Sequence, residues 1–196
     1  WISMDKSNQG HNFQVRELVE LSVLACLSFV LMFIAFPIIP LAPFLTIDFS
    51  ALPILLGTIM FGPAGGIIIA GLKSLLYWFV TGASIPNLIG VAASLISSIT
   101  LITAYWLTRK AFLNSKTRHF FTIVLSMTIS LTIVMSLLNW LFVLPAYMSV
   151  LGMHLGIPLN QLILLGVVPF NLIKGAVVGV LFLLAADRLK GRLEIK

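Results

Sequence analysis

The sequence is poor in charged residues. Asp, Glu, Lys and Arg make up 9% of its 196 residues, whereas about 25% is usual in a soluble domain. Hydrophobic residues make up 60%, which excludes an ordinary water-soluble globular protein. Membrane-spanning helices need about 20 apolar residues each, so six of them would use roughly 120 positions. Length and composition therefore predict an all-α integral membrane protein, a compact bundle of six transmembrane helices.

The sequence is also short of residues for catalysis or metal binding. The single cysteine, Cys26, excludes a disulfide framework and a cysteine metal site. The three histidines, at positions 11, 119 and 154, lie outside the predicted spans and far apart. No predicted span contains the Asp or His that an intramembrane protease would need. The stretch 66–74 resembles a phosphate-binding loop, but Leu72 separates the Gly and Lys that must be adjacent. We therefore expect no enzyme, no metal and no cofactor.

The basic residues are confined to a few places. Ten of the twelve Lys and Arg residues lie before the first apolar run (Lys6, Arg16), in a central loop (Arg109, Lys110, Lys116, Arg118) or at the end (Arg188, Lys190, Arg192, Lys196). Under the positive-inside rule all three clusters face the cytoplasm. The net charge of +6 thus indicates orientation in a lipid bilayer and not nucleic-acid binding. Both termini are predicted to be cytoplasmic, in a multi-pass protein of the cell membrane.

The predicted spans follow from the apolar runs and their breaks. The first runs from about 17 to 36, and a proline-rich extracellular connection (37–50) follows it. The sequence Phe-Gly-Pro-Ala-Gly-Gly at 61–66 divides the next run into two short helices, about 51–62 and 63–81. The remaining spans are about 84–107, 120–144 and 161–186. A single helix over 51–81 would place basic clusters on opposite faces of the membrane. We predict one membrane domain, 16–190, with tails at 1–15 and 191–196.

A few ionisable residues fall within or beside these spans. Lys73 lies in the third span and Lys174 in the sixth, while Asp48 lies at the extracellular entrance to the second. An ionisable group near the bilayer centre costs at least about 2.5–3.5 kcal/mol, so each is a candidate functional residue. Neither lysine has an obvious ion-pair partner in the membrane. Asn171, Lys174 and Gly175 share one helix face, where the glycine leaves a small cleft.

The fifth helix contributes polar and aromatic residues near its outer end: Asn139, Trp140 and Tyr147. Amides and an ammonium group offer donors and acceptors that suit a flat heterocycle whose edge alternates carbonyl oxygens with an N–H group. Each residue type has a structural alternative. The asparagines can hydrogen-bond between helices, the lysines can extend to the membrane interface, Asp48 can cap the second helix, and the aromatic residues can form an interfacial belt.

Four segments together resemble a known family. They are Ile-Asp-Phe-Ser-Ala-Leu-Pro at 47–53, Phe-Gly-Pro-Ala-Gly-Gly at 61–66, Ser-Leu-Leu-Asn-Trp with Leu-Pro-Ala-Tyr at 136–147, and Pro-Phe-Asn-Leu-Ile-Lys-Gly at 169–175. Their order and spacing over about 16–190 are similar to those of the riboflavin-specific substrate-binding components (S components) of energy-coupling-factor (ECF) transporters. The segments at 136–147 and 169–175 are the most specific; the glycine turn is shared more widely.

The resemblance implies a subunit that captures riboflavin from outside with high affinity. It implies delivery through a transmembrane coupling protein (T component) and two ATP-binding cassette ATPases. Asn139, Asn171 and Lys174 would bind the polar edge of the isoalloxazine ring, and Asp48 would face the ribityl hydroxyls or cap its helix. The loops at 37–50 and 146–160 would cover the pocket.

The resemblance leaves several alternatives open. Riboflavin and its phosphate are not distinguished, because Lys73 or Lys174 could accept an anion. Another vitamin, such as thiamine, is an alternative substrate, and a stand-alone ion-coupled carrier is an alternative class. Members of the family usually carry alanines four residues apart on the first helix, facing the coupling protein. This chain has Ser22 and Cys26 there, with Ala25 beside them.

Overall fold

The computed structural model describes residues 14–110, 116–152 and 156–189. Both predicted tails, apart from residues 14 and 15, lie outside them. The elements are α1 (Val15–Met32), β1 (Ala35–Pro37), β2 (Thr46–Asp48), α2 (Ala51–Val80), α3 (Ile85–Thr108), α4 (Lys116–Leu138), the π-helical turn π1 (Asn139–Val143), α5 (Leu144–Leu151), α6 (Leu159–Leu162), the π-helical turn π2 (Ile163–Val167) and α7 (Val168–Leu189).

Four helical segments of the described residues are long and apolar enough to cross a membrane. They are Ala51–Val80, Ile85–Thr108, Thr117–Val150 and Leu159–Leu189. The shorter α1 carries Arg16, Glu17 and Glu20 in its first two turns, so its uncharged part is limited to 21–32. The prediction of a helical membrane protein is confirmed at this level.

The element α2 contains a reversal of chain direction at Gly62. This glycine has φ of 76° and ψ of −178°, which is not helical. A Cβ atom at Gly57 would lie 2.1 Å from Ile69, and one at Gly66 would lie 2.1 Å from Thr58. Residues twelve apart in a continuous helix would be about 18 Å apart, so α2 consists of two antiparallel arms, 51–61 and 63–80. The break predicted at 61–66 is therefore present, with Pro63 starting the second arm.

The turn at Gly62 lies at the same end of the molecule as the central basic segment. A Cβ atom at Gly62 would lie 3.8 Å from the Trp106 ring at the end of α3. The guanidinium group of Arg109 stacks on that ring, 3.1 Å from its centroid. Both arms of α2 therefore extend away from this basic end, toward the end where β1 and β2 lie.

The first helix ends earlier than predicted. It stops at Met32, and Phe33 is its C-cap, whereas the sequence predicted helix to about 36. Residues 35–37 instead form β1, which pairs antiparallel with β2, Phe36 opposite Ile47. The proline at 37 restricts Phe36 to an extended conformation, which favours a strand over further helix. The helical bundle thus includes a small two-stranded sheet that the all-α prediction did not contain.

The fifth predicted span is longer than expected. Helix α4 continues through π1 into α5 and ends at Leu151, so the predicted loop 146–160 is helical over its first six residues. Pro145 did not end the helix because it lies at the start of α5, directly after the π-helical turn, where its missing N–H group is tolerated. The sixth predicted span likewise contains π2 and extends from Leu159 to Leu189.

The core of the bundle is apolar and lies between α1, α2, α3, α4 and α7. Its fully buried side chains include Leu21, Ile54, Leu55, Ile69, Leu101, Ile102, Ile123, Met127, Leu131 and Phe182. The outward faces carry many exposed Leu, Ile, Val and Phe side chains, as expected where lipid replaces water as the solvent. A polar contact connects α1 to the segment before α2: Ser28 Oγ donates to the Ser50 carbonyl at 2.6 Å.

Candidate substrate-binding cavity

A cavity of about 250 Å³ lies near the end of the bundle that carries β2. Its lining comes from the segment at β2 (Phe44, Leu45, Thr46, Asp48), from α1 and the second arm of α2 (Met32, Tyr77), from α3 (Pro86, Asn87, Gly90, Val91, Ala93, Ser94, Ser97), from the α4–α5 helix (Met135, Asn139, Val143, Tyr147) and from α7 (Phe170, Asn171, Lys174). Elements far apart in sequence therefore form one partly polar cavity, as is usual for small-molecule sites.

An ion pair lies across one side of this cavity. Lys174 Nζ is 3.3 Å from Asp48 Oδ2, and both side chains are largely buried. The other carboxylate oxygen, Oδ1, accepts from the Ser50 backbone N–H at 2.9 Å and from the Ser50 hydroxyl. Burial by itself raises the pKa of Asp48, but Lys174, Ser50 and the charge of Lys73 together hold that pKa below its usual value.

This geometry corrects two expectations about the charged residues. The sequence offered Lys174 no obvious ion-pair partner within the membrane spans, yet Asp48, 126 residues away at the end of β2, provides one. The alternative role of Asp48 as a helix cap is not realised either. Ser50 is the N-cap residue of α2, without a side-chain cap hydrogen bond, and the Asp48 carboxylate is used by Ser50 and Lys174.

The two predicted asparagines line the same cavity. Asn139 is 3% exposed and Asn171 is 2% exposed. Each donates its side-chain N–H to a carbonyl of its own helix four residues earlier, Asn139 to Met135 and Asn171 to Val167, both at 2.8 Å. Among the residues that the structure describes, neither makes the interhelical hydrogen bond that was the structural alternative. Within the part of the chain that the structure describes, both amide oxygens remain unused as acceptors.

Lys73 lies close to the cavity without lining it. It is 0% exposed and donates from Nζ to Ser94 Oγ at 2.9 Å. Ser94 is on α3 and does line the cavity. Among the described residues Lys73 therefore bonds within the bundle and does not extend to the interface, the alternative that the sequence left open.

Tyr147 is placed in the lining by a close approach of α5 to α3. Its hydroxyl donates to the Pro86 carbonyl at 3.4 Å. A Cβ atom at Gly90 would lie 3.0 Å from that hydroxyl. A side chain at position 90 would therefore require the Tyr147 hydroxyl to shift.

Two predicted site residues lie elsewhere. Gly175 packs against α4, since a Cβ atom there would be 2.7 Å from the Thr128 Cα, and it is absent from the cavity lining. Trp140 is 46% exposed and is also absent from the lining. Both are adjacent in sequence to cavity residues, Lys174 and Asn139, and the helical geometry turns them away.

Several lining residues were missed by the sequence analysis. Ser94 and Ser97 are three apart on α3 and therefore share a face, and Asn87 lies two turns earlier. This row of polar residues on one face of α3 was the available signal. Thr46 had no signal, because its position in the lining depends on the pairing of β1 with β2.

The predicted partner-interface residues divide between two faces of α1. Ala25 is 2% exposed and belongs to the core. Ser22 and Cys26 face outward and line a shallow apolar groove on the surface of α1, together with Val15, Leu18, Val19 and Val23.

The cavity is equipped for non-covalent binding. It presents amide oxygens, an ammonium group, hydroxyls and aromatic walls. The described residues contain no cluster of His, Cys, Asp or Glu that could hold a metal ion. The mixture of donors and acceptors fits a neutral or weakly charged ligand with a polar edge and an apolar body.

Comparison with known proteins identifies the family. Residues 16–186 match the family described as ECF transporter, substrate-specific component. The chain is 37% identical to "Riboflavin transporter RibU" of Staphylococcus aureus, covering 92% of this chain and 94% of that protein. It is 33% identical to "Riboflavin transporter FmnP" of Bacillus subtilis, covering 92% and 95%.

Comparison with a solved structure supports the same family. The chain aligns with "Structure and mechanism of the S component of a bacterial ECF transporter" with a TM-score of 0.76 and 35% identity, covering 93% of this chain and 99% of that one. This chain therefore belongs to the substrate-specific components of ECF transporters, a family of multi-pass membrane transport proteins rather than enzymes.

Proposed function

We propose that this protein is the riboflavin-binding S component of an ECF-type vitamin transporter. The observation that carries the proposal is the placement of Asn139, Asn171 and Lys174 around one cavity. The relatives named as riboflavin transporters cover about nine-tenths of the chain, which supports the same ligand here.

The cavity chemistry suits the polar edge of the isoalloxazine ring. That edge presents two carbonyl oxygens on either side of an N–H group. The unused amide oxygens of Asn139 and Asn171 are acceptors for the N–H, and the Lys174 ammonium is a donor for a carbonyl. Phe170 and Tyr77 provide apolar and aromatic surface for the ring body. In this proposal Asp48 pairs with the Lys174 ammonium group and orients it. The ribityl chain lies toward the polar residues of α3.

We further propose six membrane crossings with both termini in the cytoplasm. The two arms of α2 provide the second and third crossings, α1 the first, and α3, the α4–α5 helix and the α6–α7 helix the other three. The turn at Gly62 would then face the cytoplasm with Arg109 and Lys110, in agreement with the positive-inside rule. The cavity would open toward the extracellular side, where the substrate is captured.

The partners follow from the same proposal. An S component passes its ligand to a transmembrane coupling protein driven by two ATPases, and we propose that module as the partner. The groove at Ser22 and Cys26 on α1 is the candidate contact, because small side chains there allow another helix to approach closely. Ala25 is excluded from this contact by its burial in the core.

The proposal is tested by riboflavin titration of the purified protein in detergent. Quenching of flavin fluorescence should saturate at one flavin per protein, and the purified protein should carry the yellow absorption of a flavin. Absence of quenching by a folded preparation, with thermal stabilisation by thiamine instead, would contradict it. Stronger binding of riboflavin phosphate than of riboflavin would make the phosphate the substrate.

The site assignment needs a variant that does not leave one member of the Lys174–Asp48 ion pair without the other. Lys174→Met alone would leave the buried Asp48 unpaired, which is strongly destabilising. The double variant Asp48→Asn/Lys174→Met removes both charges. We expect it to fold and to have lost riboflavin binding, while Lys110→Met, a change at an exposed position outside the cavity, binds normally. Unchanged binding by the double variant would show that Lys174 is not part of the site.

A further inference from the structure

Burying the Lys73 ammonium group costs free energy, and few hydrogen bonds offset that cost. Lys73 is fully buried and lies near the middle of the second arm of α2, where an unsatisfied charge is most costly. An ammonium group has three N–H donors. Among the described residues only Ser94 Oγ accepts from it. An apolar residue at position 73 would stabilise the packing of the bundle at least as well as a lysine. The lysine therefore indicates a role other than stability.

The Lys73 contact determines what the Ser94 hydroxyl can do. A hydroxyl that accepts from an ammonium group keeps its own O–H free to donate. Two hydroxyls of α3 use that donor within their own helix: Ser98 donates to the Ser94 carbonyl at 3.0 Å and Thr100 to the Ile96 carbonyl at 2.8 Å. Ser94 makes no such hydrogen bond among the described residues, and it lines the cavity.

We infer that Ser94 contacts the ligand as a hydrogen-bond donor, and that Lys73 is the positioning residue that makes it one. This inference rests on the proposed riboflavin-binding function and deepens it. The group recognised is an acceptor on the flavin, either a carbonyl oxygen or ring nitrogen of the isoalloxazine or an oxygen of the ribityl chain. Ser94 thereby adds a polar contact on α3, a wall different from those of Asn139 and Asn171.

The electrostatic setting strengthens this donor. The Lys73 cation polarises the O–H that donates onward, since hydrogen bonds in a chain reinforce one another in a low-dielectric interior. The carboxylate of Asp48 is close enough to interact with Lys73 electrostatically, which keeps the buried cation tolerable. The Asp48 carboxylate therefore compensates part of the positive charge of both Lys174 and Lys73 beside the cavity.

The test measures riboflavin affinity of purified variants in detergent. Ser94→Ala should weaken binding about tenfold, the usual effect of losing one ligand hydrogen bond. Ser98→Ala, four residues along the same helix and outside the cavity lining, is the matched control and should bind like the unaltered protein. Ser94→Thr keeps the hydroxyl and Ser94→Val removes it at equal size, so threonine should bind more tightly than valine. Equal affinity of all these variants would overturn the inference.

A double-mutant cycle tests the positioning role. Lys73→Met should weaken binding when Ser94 is present and have little further effect in the Ser94→Ala background, because Lys73 acts through that hydroxyl. Equal effects of Lys73→Met in both backgrounds would overturn the role of Lys73. If Lys73→Met does not fold, the threonine and valine comparison still decides the role of Ser94.

A ligand analogue locates the acceptor. Lumiflavin has the flavin ring without the ribityl chain. Loss of affinity for both lumiflavin and riboflavin in Ser94→Ala places the contact on the ring, and loss for riboflavin alone places it on the chain; either result supports the inference. Failure of the unaltered protein to bind riboflavin would instead refute the proposed function, so the two failures are distinguishable.

Discussion

The Asp48 carboxylate accepts from two groups of Ser50 and pairs with Lys174. These contacts join three parts of the chain: β2, the start of α2 and the middle of α7. Since the Asp48 side chain is only 10% exposed, its charge is screened little by solvent. A single acidic side chain therefore fixes both the segment at β2 and the orientation of the ammonium group proposed to bind the flavin.

This ion pair predicts a pH-dependent stability. The pKa of Asp48 is lower in the folded protein than the ordinary value of 3.8. The ionised carboxylate thus stabilises the fold above about pH 4, and the stabilisation is lost as pH falls through the folded-state pKa. We expect the Tm difference in detergent between the unaltered protein and Asp48→Asn to be largest near about pH 6–7 and to shrink below about pH 4.

The matched control for this prediction is Glu20→Gln. Glu20 also pairs with a cation, Arg16 at 2.9 Å, but Arg16 is 80% exposed, and such pairs contribute little. Its Tm should therefore stay close to that of the unaltered protein at every pH. A Tm difference for Asp48→Asn that stays constant down to about pH 3 would contradict the proposed linkage.

At the scale of elements, α7 packs against α4 at two glycines, Gly175 and Gly179, which differ in how closely α4 approaches them. Gly175 contacts the backbone of Thr128, where a Cβ atom would be 2.7 Å from Cα. Gly179, one turn later, leaves 3.5 Å to Val124, which is ordinary van der Waals contact. The predicted cleft at Gly175 is therefore used for packing α7 against α4.

This difference predicts unequal effects of the same substitution. Gly175→Ala should destabilise the protein by about 1–3 kcal/mol, because the backbone of α4 must move to admit the methyl group. Gly179→Ala should be nearly neutral or slightly stabilising, since alanine favours helix. Thermal unfolding in detergent measures both. Equal Tm values for the two variants would show that the close approach at Gly175 does not affect the free energy of unfolding.

At the scale of the whole molecule, the reversal at Gly62 decides the topology. With two antiparallel arms in α2, the segments at both ends of that element lie on one side of the membrane. A single crossing would place them on opposite sides. The basic segment after α3 lies one crossing beyond the segment that follows α2, and therefore on the side opposite to that segment in either case. The two connections flanking α2 are therefore the informative positions.

Single-cysteine labelling tests this topology. In a Cys26→Ser background, Leu41→Cys and Ala83→Cys should both react with a membrane-impermeant maleimide on intact cells. Lys110→Cys should react only after the membrane is permeabilised, which controls for leakage. All three positions are exposed. Labelling of Leu41→Cys without Ala83→Cys on intact cells would show that α2 crosses the membrane once.

The sequence predicted the helical membrane class, the break at 61–66 and a polar set that lines one cavity. These are local properties: long apolar runs require membrane helices, glycine followed by proline interrupts a helix, and buried amides and ammonium groups are rare enough to mark a site. The resemblance to the S components rested on the same segments, and comparison with relatives showed the family to be correct.

Only the tertiary structure decided how these residues are connected. The partners Asp48 and Lys174 are 126 residues apart, and no local pattern pairs them. The strand at 35–37 depends on the pairing of Phe36 with Ile47. The contact of Lys73 with Ser94 requires α2 and α3 to pack in one register. Sequence periodicity specifies which face of a helix is apolar, whereas the neighbour that a polar side chain meets depends on the packing of the entire bundle.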